Sequence, residues 1–161
     1  MTRLVLFVCS GNICRSPMAE LLFRQLLLEH GVEWIKTGSC GTLGISGAPI
    51  SDNNLVVLVE QGLQPAAHRS TALQFHHLYR ADLIIVMEPL HRDMIAEEAG
   101  DDPEIMQRVL ALTEFHPDPR QRNGAGIYDF VASEVETYRE MVEEFHMRLQ
   151  GLLEYCLRLW R

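Results

Sequence analysis

Eight consecutive residues, C-S-G-N-I-C-R-S from Cys9 to Ser16, gather more chemistry than any other stretch of the chain. The apolar run Leu4 to Val8 ends at Cys9, and Pro17 suits the first turn of a helix, so the eight residues form a strand-to-helix loop. Gly11 permits a positive φ, and Asn12 is among the few other residue types that tolerate one. A loop curled in this way points successive backbone N–H groups of Ser10, Gly11, Asn12, Ile13 and Cys14 inward, at the N-terminus of the helix, which makes a nest for an anion. Arg15, six positions after Cys9, can fold back and clasp two oxygens of a tetrahedral anion. Cys9 then sits on the floor, where the N–H groups, the helix dipole and Arg15 all favour a thiolate nucleophile. Ser16 offers a hydroxyl to stabilise that sulfur as a leaving group. The chemistry implied is transfer of a phosphoryl group through a cysteinyl-phosphate intermediate. A nucleoside-triphosphate loop is excluded, because GK[ST] occurs nowhere.

Such a loop needs a strand beneath it and a helix after it, and the rest of the chain supplies the pattern for both. Residues 3–9 form a continuous β-prone run, and 18–30 a helix stopped by Gly31. A second strand is expected over 33–39, a Gly-rich loop over 41–54, and a helix capped by Ser51 or Asp52 that ends near Gln61. A short helix over 71–78, a buried strand over 82–87, a helix over 90–99 and a fourth strand over 107–112 follow. Residues 114–130 form a polar loop too long to be a mere connector. Ser133 and Glu136 have the spacing of a capping box for a final helix that runs to about Leu159. Short strands alternating with helices predict an α/β fold, a four-stranded parallel sheet flanked by helices on both faces. Ligands in such folds sit at the carboxyl ends of strands, where Cys9 lies.

The 161 residues fit one domain, 1–161, and 47% hydrophobic with 22% charged residues is ordinary for a globular protein. A net charge of −8 excludes a general nucleic-acid binder, which needs a basic face. No segment has the length of a membrane span, and the N-terminal apolar run is too short for a signal-peptide core, so the expected compartment is cytoplasmic. Cys9, Cys14, Cys40 and Cys156 lack the rhythm of a disulfide scaffold, and neither they nor the seven histidines have metal-ligand spacing. No metal or other cofactor is expected.

The stretch VCSGNICRSPMAE resembles the signature of the low-molecular-weight protein tyrosine phosphatases, and the resemblance continues through SCGT (39–42), GAP (47–49), HRS (68–70) and ADLIIVME (81–88). It implies a hydrolase that acts on phosphotyrosine in protein substrates, with Cys9 and Arg15 catalytic. It also implies that Asn12, Ser39 and His68 belong to a hydrogen-bond network holding the loop. A reversible Cys9–Cys14 disulfide that protects the nucleophile is a further implication, beside simple packing of Cys14.

The resemblance further implies an acidic residue that protonates the leaving oxygen, usually in an Asp-Pro-aromatic pattern before the last helix. Two residues compete for this role. Asp129 stands four positions before Ser133 but is followed by Phe130 instead of proline, while Asp118 precedes Pro119 and lies eleven positions further back. Position favours Asp129, and Asp-Pro is also ordinary turn chemistry. A wall for a phenyl ring is expected from Leu43, Ile45, Tyr128 and Phe130. Protein arginine phosphatases also resemble the chain, and in that subgroup threonine replaces the loop isoleucine; Ile13 therefore favours phosphotyrosine. Thioredoxin-coupled arsenate reduction needs relay cysteines in mid-chain, and no cysteine occurs between Cys40 and Cys156. The sequence does not determine the oligomeric state.

Overall fold

The computed structural model describes residues 1–122 and 124–161. Four strands, β1 (Arg3–Cys9), β2 (Ile35–Gly41), β3 (Leu83–Val86) and β4 (Val109–Ala111), form one sheet in the order β2-β1-β3-β4. Every neighbouring pair is parallel. Among the described residues the α-helices are α1 (Arg15–Glu29), α2 (Asp52–Glu60), α3 (Phe75–Arg80), α4 (Pro89–Glu98) and α5 (Pro103–Met106) between strands, and α6 (Val135–Leu159) after the last strand. The chain leaves β1 toward β2 on one side and later returns to build β3 on the other. The carboxyl end of β1 is therefore the switch point of the sheet, and that is where α/β folds open a crevice. None of these helices is long and apolar enough to cross a membrane.

Alternation along β1 divides the core in two. Val5, Phe7 and Cys9 join Met18, Phe23, Val57, Phe145 and Leu152 on the face covered by α1, α2 and α6. Leu6 and Val8 join Cys40, Leu78, Ile95 and Ile105 on the face covered by α3, α4 and α5. Helices thus lie on both faces, as the alternating pattern predicts.

The differences from the sequence reading lie at element ends and in one additional short helix, and each has a local cause. β2 begins and ends two residues later than 33–39, because its register follows β1 from Arg3↔Ile35 to Cys9↔Gly41. Residues 71–73 are not helical; they bond to the loop beside the site, through Thr71 O to Gly41 N–H and Leu73 N–H to Gly41 O, each 2.8 Å. β4 is an edge strand of three residues: Gln107 and Arg108 belong to the turn after Met106, and a 3₁₀ turn over Leu112–Phe115 begins directly after Ala111. The capping box of α6 is not formed: Glu134 is the N-cap with no side-chain cap, and Glu136 pairs with Arg139 instead. The short helix α5, absent from the sequence reading, is capped by Asp102, which accepts from Glu104 N–H at 2.9 Å.

Two close backbone approaches fix the rim of the crevice. A Cβ on Gly41 would lie 2.5 Å from Ser10 O and 3.0 Å from Asn12 N, so the loop after β1 packs directly on the end of β2. Gly126 has φ +85°, and a Cβ there would meet the Met87 carbonyl at the end of β3. The next residue, Ile127, donates its N–H to that carbonyl at 2.7 Å, which ties the long polar loop to the sheet.

Candidate active site

Residues 10–14 run from β1 into α1, and Asn12 at φ 57° is one of the described non-glycine residues in the left-handed region. Its conformation is sparsely populated and needs compensating contacts. Asn12 is fully buried, and its side chain is used at both ends. Nδ2 donates to Ser16 Oγ at 2.7 Å and Ser39 Oγ at 2.9 Å, while Oδ1 accepts from Thr71 N–H at 2.9 Å. His68 Nε2 donates to the Asn12 carbonyl at 2.7 Å. The Ser39 hydroxyl in turn donates a hydrogen bond to Glu20 Oε2 at 2.6 Å. Asn12, Ser39 and His68 thus meet as the resemblance implied, with Glu20 and the Thr71 backbone as additional members.

Cys9 Sγ lies beneath this loop, 2.9 Å from Ser16 Oγ and 3.4 Å from Ser16 N–H. Ser16 Oγ also accepts from Asn12, and toward a Cys9 thiolate, which has no hydrogen, the hydroxyl is the donor. Arg15 is 2% exposed and turned toward the same end of the sheet. Its Nη1 donates to Glu88 Oε2 at 2.6 Å and to Ile127 O at 2.9 Å, while Nη2 is 3.4 Å from Ser10 Oγ and 3.9 Å from Asp129 Oδ2. One edge of the guanidinium is anchored by protein, and the Nη2 side faces the loop. Cys9, Ser10, Gly11, Ile13, Cys14, Arg15, Leu43, Ile45, Asp129 and Val131 together line a cavity of about 180 Å³.

Asp129, rather than Asp118, is brought to this cavity. Its Oδ1 accepts from Val131 N–H at 3.1 Å, which leaves Oδ2 on the Arg15 side. Asp118 caps the 3₁₀ turn at Pro119–Gln121 and pairs with Arg120 at 3.0 Å; the Arg120 contacts hold its carboxyl below the usual range. Leu43 and Ile45 reach the mouth at 62% and 47% exposure, and Tyr128 is exposed on the loop beside Asp129. Phe130 corrects the sequence expectation. It is fully buried and packs edge-on against Tyr138 at 5.0 Å and Phe145 at 6.2 Å, so it belongs to the core and not to a substrate wall.

Cys14 is adjacent to the site, but its thiol donates away from it, to the Tyr138 hydroxyl at 3.5 Å, and burial pushes it up to about 12. Cys40 lies one register step from Cys9 yet belongs to the opposite core face, and burial likewise pushes it up to about 12. Among the described residues no three His, Cys, Asp or Glu side chains gather to hold a metal ion.

Glu88 and His91 escape a reading of the sequence. A carboxylate just past the carboxyl end of a strand beside the switch point was the available signal for Glu88. His91 is fully buried at the start of α4. Its Nδ1 accepts from Glu88 N–H at 3.1 Å, so Nε2 carries the proton and donates to Ser10 Oγ at 2.9 Å. Burial first, and then the Arg15 guanidinium, push His91 down to about 4 against the opposing pull of Glu88 and Asp129. The folded protein therefore holds a neutral imidazole, whereas the unfolded chain binds a proton near the ordinary value of about 6.5. This contribution to stability is complete above that pH and is lost as pH falls toward 4. In denaturant melts the unmodified protein should lose about 2–3 kcal/mol more than His91→Asn over that interval. Parallel pH profiles for the two proteins would remove His91 from the acid response.

A family model, low molecular weight phosphotyrosine protein phosphatase, matches residues 4–158. The chain is 34% identical over 150 residues to the protein-arginine-phosphatase of Geobacillus stearothermophilus, covering 93% of each. It is also 34% identical over 138 residues to the low molecular weight protein-tyrosine-phosphatase PtpA of Staphylococcus saprophyticus, covering 80% of this chain and 86% of the relative. Among solved structures it is similar to a low molecular weight protein tyrosine phosphatase from T. tengcongensis, with TM-score 0.84, 28% identity and coverage of 96% of this chain and 99% of that one.

Proposed function

The chain belongs to the low molecular weight phosphotyrosine protein phosphatase family and is a cysteine-dependent phosphatase, and on that premise we propose that it hydrolyses phosphotyrosine in protein substrates and small aryl phosphates. The phosphate sits in the nest of N–H groups with two oxygens on Arg15. Cys9 Sγ attacks phosphorus from below, forming the S–P bond as the P–O bond to the phenol breaks. Asp129, protonated at Oδ2, gives its proton to the departing phenolate. A water then attacks the cysteinyl phosphate, with Asp129 taking its proton, and the sulfur leaves as a thiolate that Ser16 Oγ and N–H stabilise. No further group is needed for proton or electron balance. The four cysteines, all free thiols, suit work in a reducing cytoplasm.

The observation that carries phosphotyrosine is the apolar mouth. Ile13, Leu43, Ile45 and Val131 surround the approach to Cys9, and a planar phenyl ring buries against such a wall. The arginine-phosphatase relative at 34% identity supports a second reading, phosphoarginine. A guanidinium beyond the phosphate would need polar partners that Ile13 does not offer. Matched peptides separate the two. The kcat/KM for phosphotyrosine should exceed that for phosphoarginine by at least about 10-fold, and Ile13→Thr should narrow the gap. A preference for phosphoarginine in the unmodified protein would transfer the assignment to the second reading.

A further inference from the structure

Asp129 is followed by Phe130 and not by a proline that would stiffen its turn, and its neighbour Tyr128 is exposed. Even so, one oxygen of the carboxylate is held in place. Asp129 Oδ1 accepts from Val131 N–H, and the carbonyl of the same residue, Val131, accepts from the Tyr138 hydroxyl at 2.9 Å. Tyr138 is a fully buried side chain on the first turn of α6. Its hydroxyl has spent its proton on Val131, so it accepts from Ser51, 3.1 Å away, and from the Cys14 thiol. One oxygen atom therefore joins three separate pieces of chain: the end of the phosphate loop, the N-cap of α2 and the acid loop.

We propose that Tyr138 is a positioning residue for the general acid: its hydroxyl fixes Val131, and Val131 fixes the Asp129 carboxylate with Oδ2 turned to the leaving oxygen. The proposal rests on the reading of Asp129 as the acid. Core packing alone does not account for the arrangement, because the ring of Tyr138 already fills its site against Phe130 at 5.0 Å. A phenylalanine would fill that space equally well and would not reach the Val131 carbonyl. Burial, and then the Cys14 contact, raise the pKa of the phenol above its ordinary value, so it keeps its proton and remains a donor to that carbonyl across the working range. The geometry also joins the acid loop to the phosphate loop through Cys14, so the two halves of the site share a common reference point on α6.

Leaving-group dependence tests this, because a phenolate of low basicity departs without a proton, whereas phenol itself requires one. For Tyr138→Phe, kcat/KM on phenyl phosphate should fall by about 10-fold, the scale of one lost hydrogen bond. On 2,4-dinitrophenyl phosphate it should change by less than about 2-fold, and inhibition by inorganic phosphate should be unchanged. Active-site titration sets the enzyme concentration, so a partly unfolded preparation does not imitate the effect. An equal fall on both esters, or no fall on either, would overturn the role of Tyr138. Asp129→Asn is run beside it and should show the same selectivity with a larger fall. If Asp129→Asn fails to separate the two esters, the acid assignment itself is wrong. If it separates them while Tyr138→Phe does not, only the positioning role is lost.

Discussion

Cys9→Ser is expected to lower kcat on aryl phosphates by at least about 10⁴-fold, a rise of about 5 kcal/mol in the barrier. The substitution replaces sulfur with a smaller oxygen that holds its proton far more tightly, and the neighbours cannot compensate. Ser16 Oγ is a neutral hydroxyl that accepts from Asn12 Nδ2, and so it is no base for a serine at position 9. Asp129 has its Oδ1 on Val131 N–H and its Oδ2 on the Arg15 side, 3.9 Å from Nη2. The loop itself should survive, because Asn12, Ser39, His68 and Thr71 hold its shape without using the Cys9 side chain. Inorganic phosphate should therefore bind the variant about as well as the unmodified protein, which calorimetry measures directly. Lost turnover with retained phosphate affinity is the signature of a missing nucleophile. Retention of a tenth of the original rate would mean that another group attacks phosphorus.

The second large effect is expected at Arg15. Arg15→Lys should lower kcat/KM by about 10³-fold, about 4 kcal/mol, although the positive charge is conserved. A guanidinium serves two directions at once: Nη1 is committed to Glu88 and Ile127, while the rest of the planar group faces the anion. An ammonium is a single point of charge. Placed against Glu88 it leaves the anion, and placed against the anion it leaves Glu88 unpaired in a site where Arg15 is only 2% exposed. The loss should fall mainly on kcat, because charge gathers on the equatorial oxygens as the P–O bond breaks. Steady-state kinetics on phenyl phosphate distinguish this from a simple weakening of substrate binding. An intact kcat with a raised KM would mean that Arg15 only recruits the phosphate.

The phosphate loop was legible in the sequence because its parts are local. Cys9, Gly11, Asn12, Arg15 and Ser16 act within one turn of chain, so their spacing encodes their geometry. The partners that hold them are distant: Glu88 meets Arg15 across 73 positions, and Tyr138 meets Cys14 across 124. For Glu88 the local pattern offers only its place just past a strand end, and nothing distinguishes Tyr138 from an ordinary core tyrosine. Phe130 was misread for a related reason. An aromatic beside an acid suggests a wall for a substrate ring, but adjacent residues on this loop face opposite ways. Asp129 is half-exposed at the cavity and Phe130 is fully enclosed between α6 side chains. The strand order was likewise beyond a pattern of alternating elements, although its parallel character and the position of Cys9 at a strand end followed from that pattern.

The alternation along β1 has a consequence for how the chain can change its length. Cys9 faces the α1, α2 and α6 side because it shares parity with Val5 and Phe7, while Leu6 and Val8 face the other core. β1 is paired on both edges, with β2 over its whole length and with β3 from Val5 to Val8. A single inserted or deleted residue in this strand would leave the hydrophobic content almost unchanged. It would nevertheless exchange the two faces and carry the sulfur to the wrong side of the sheet. The reactive atom is in effect addressed by counting in twos from the start of the strand, and the freedom to gain or lose residues is confined to the outer loops.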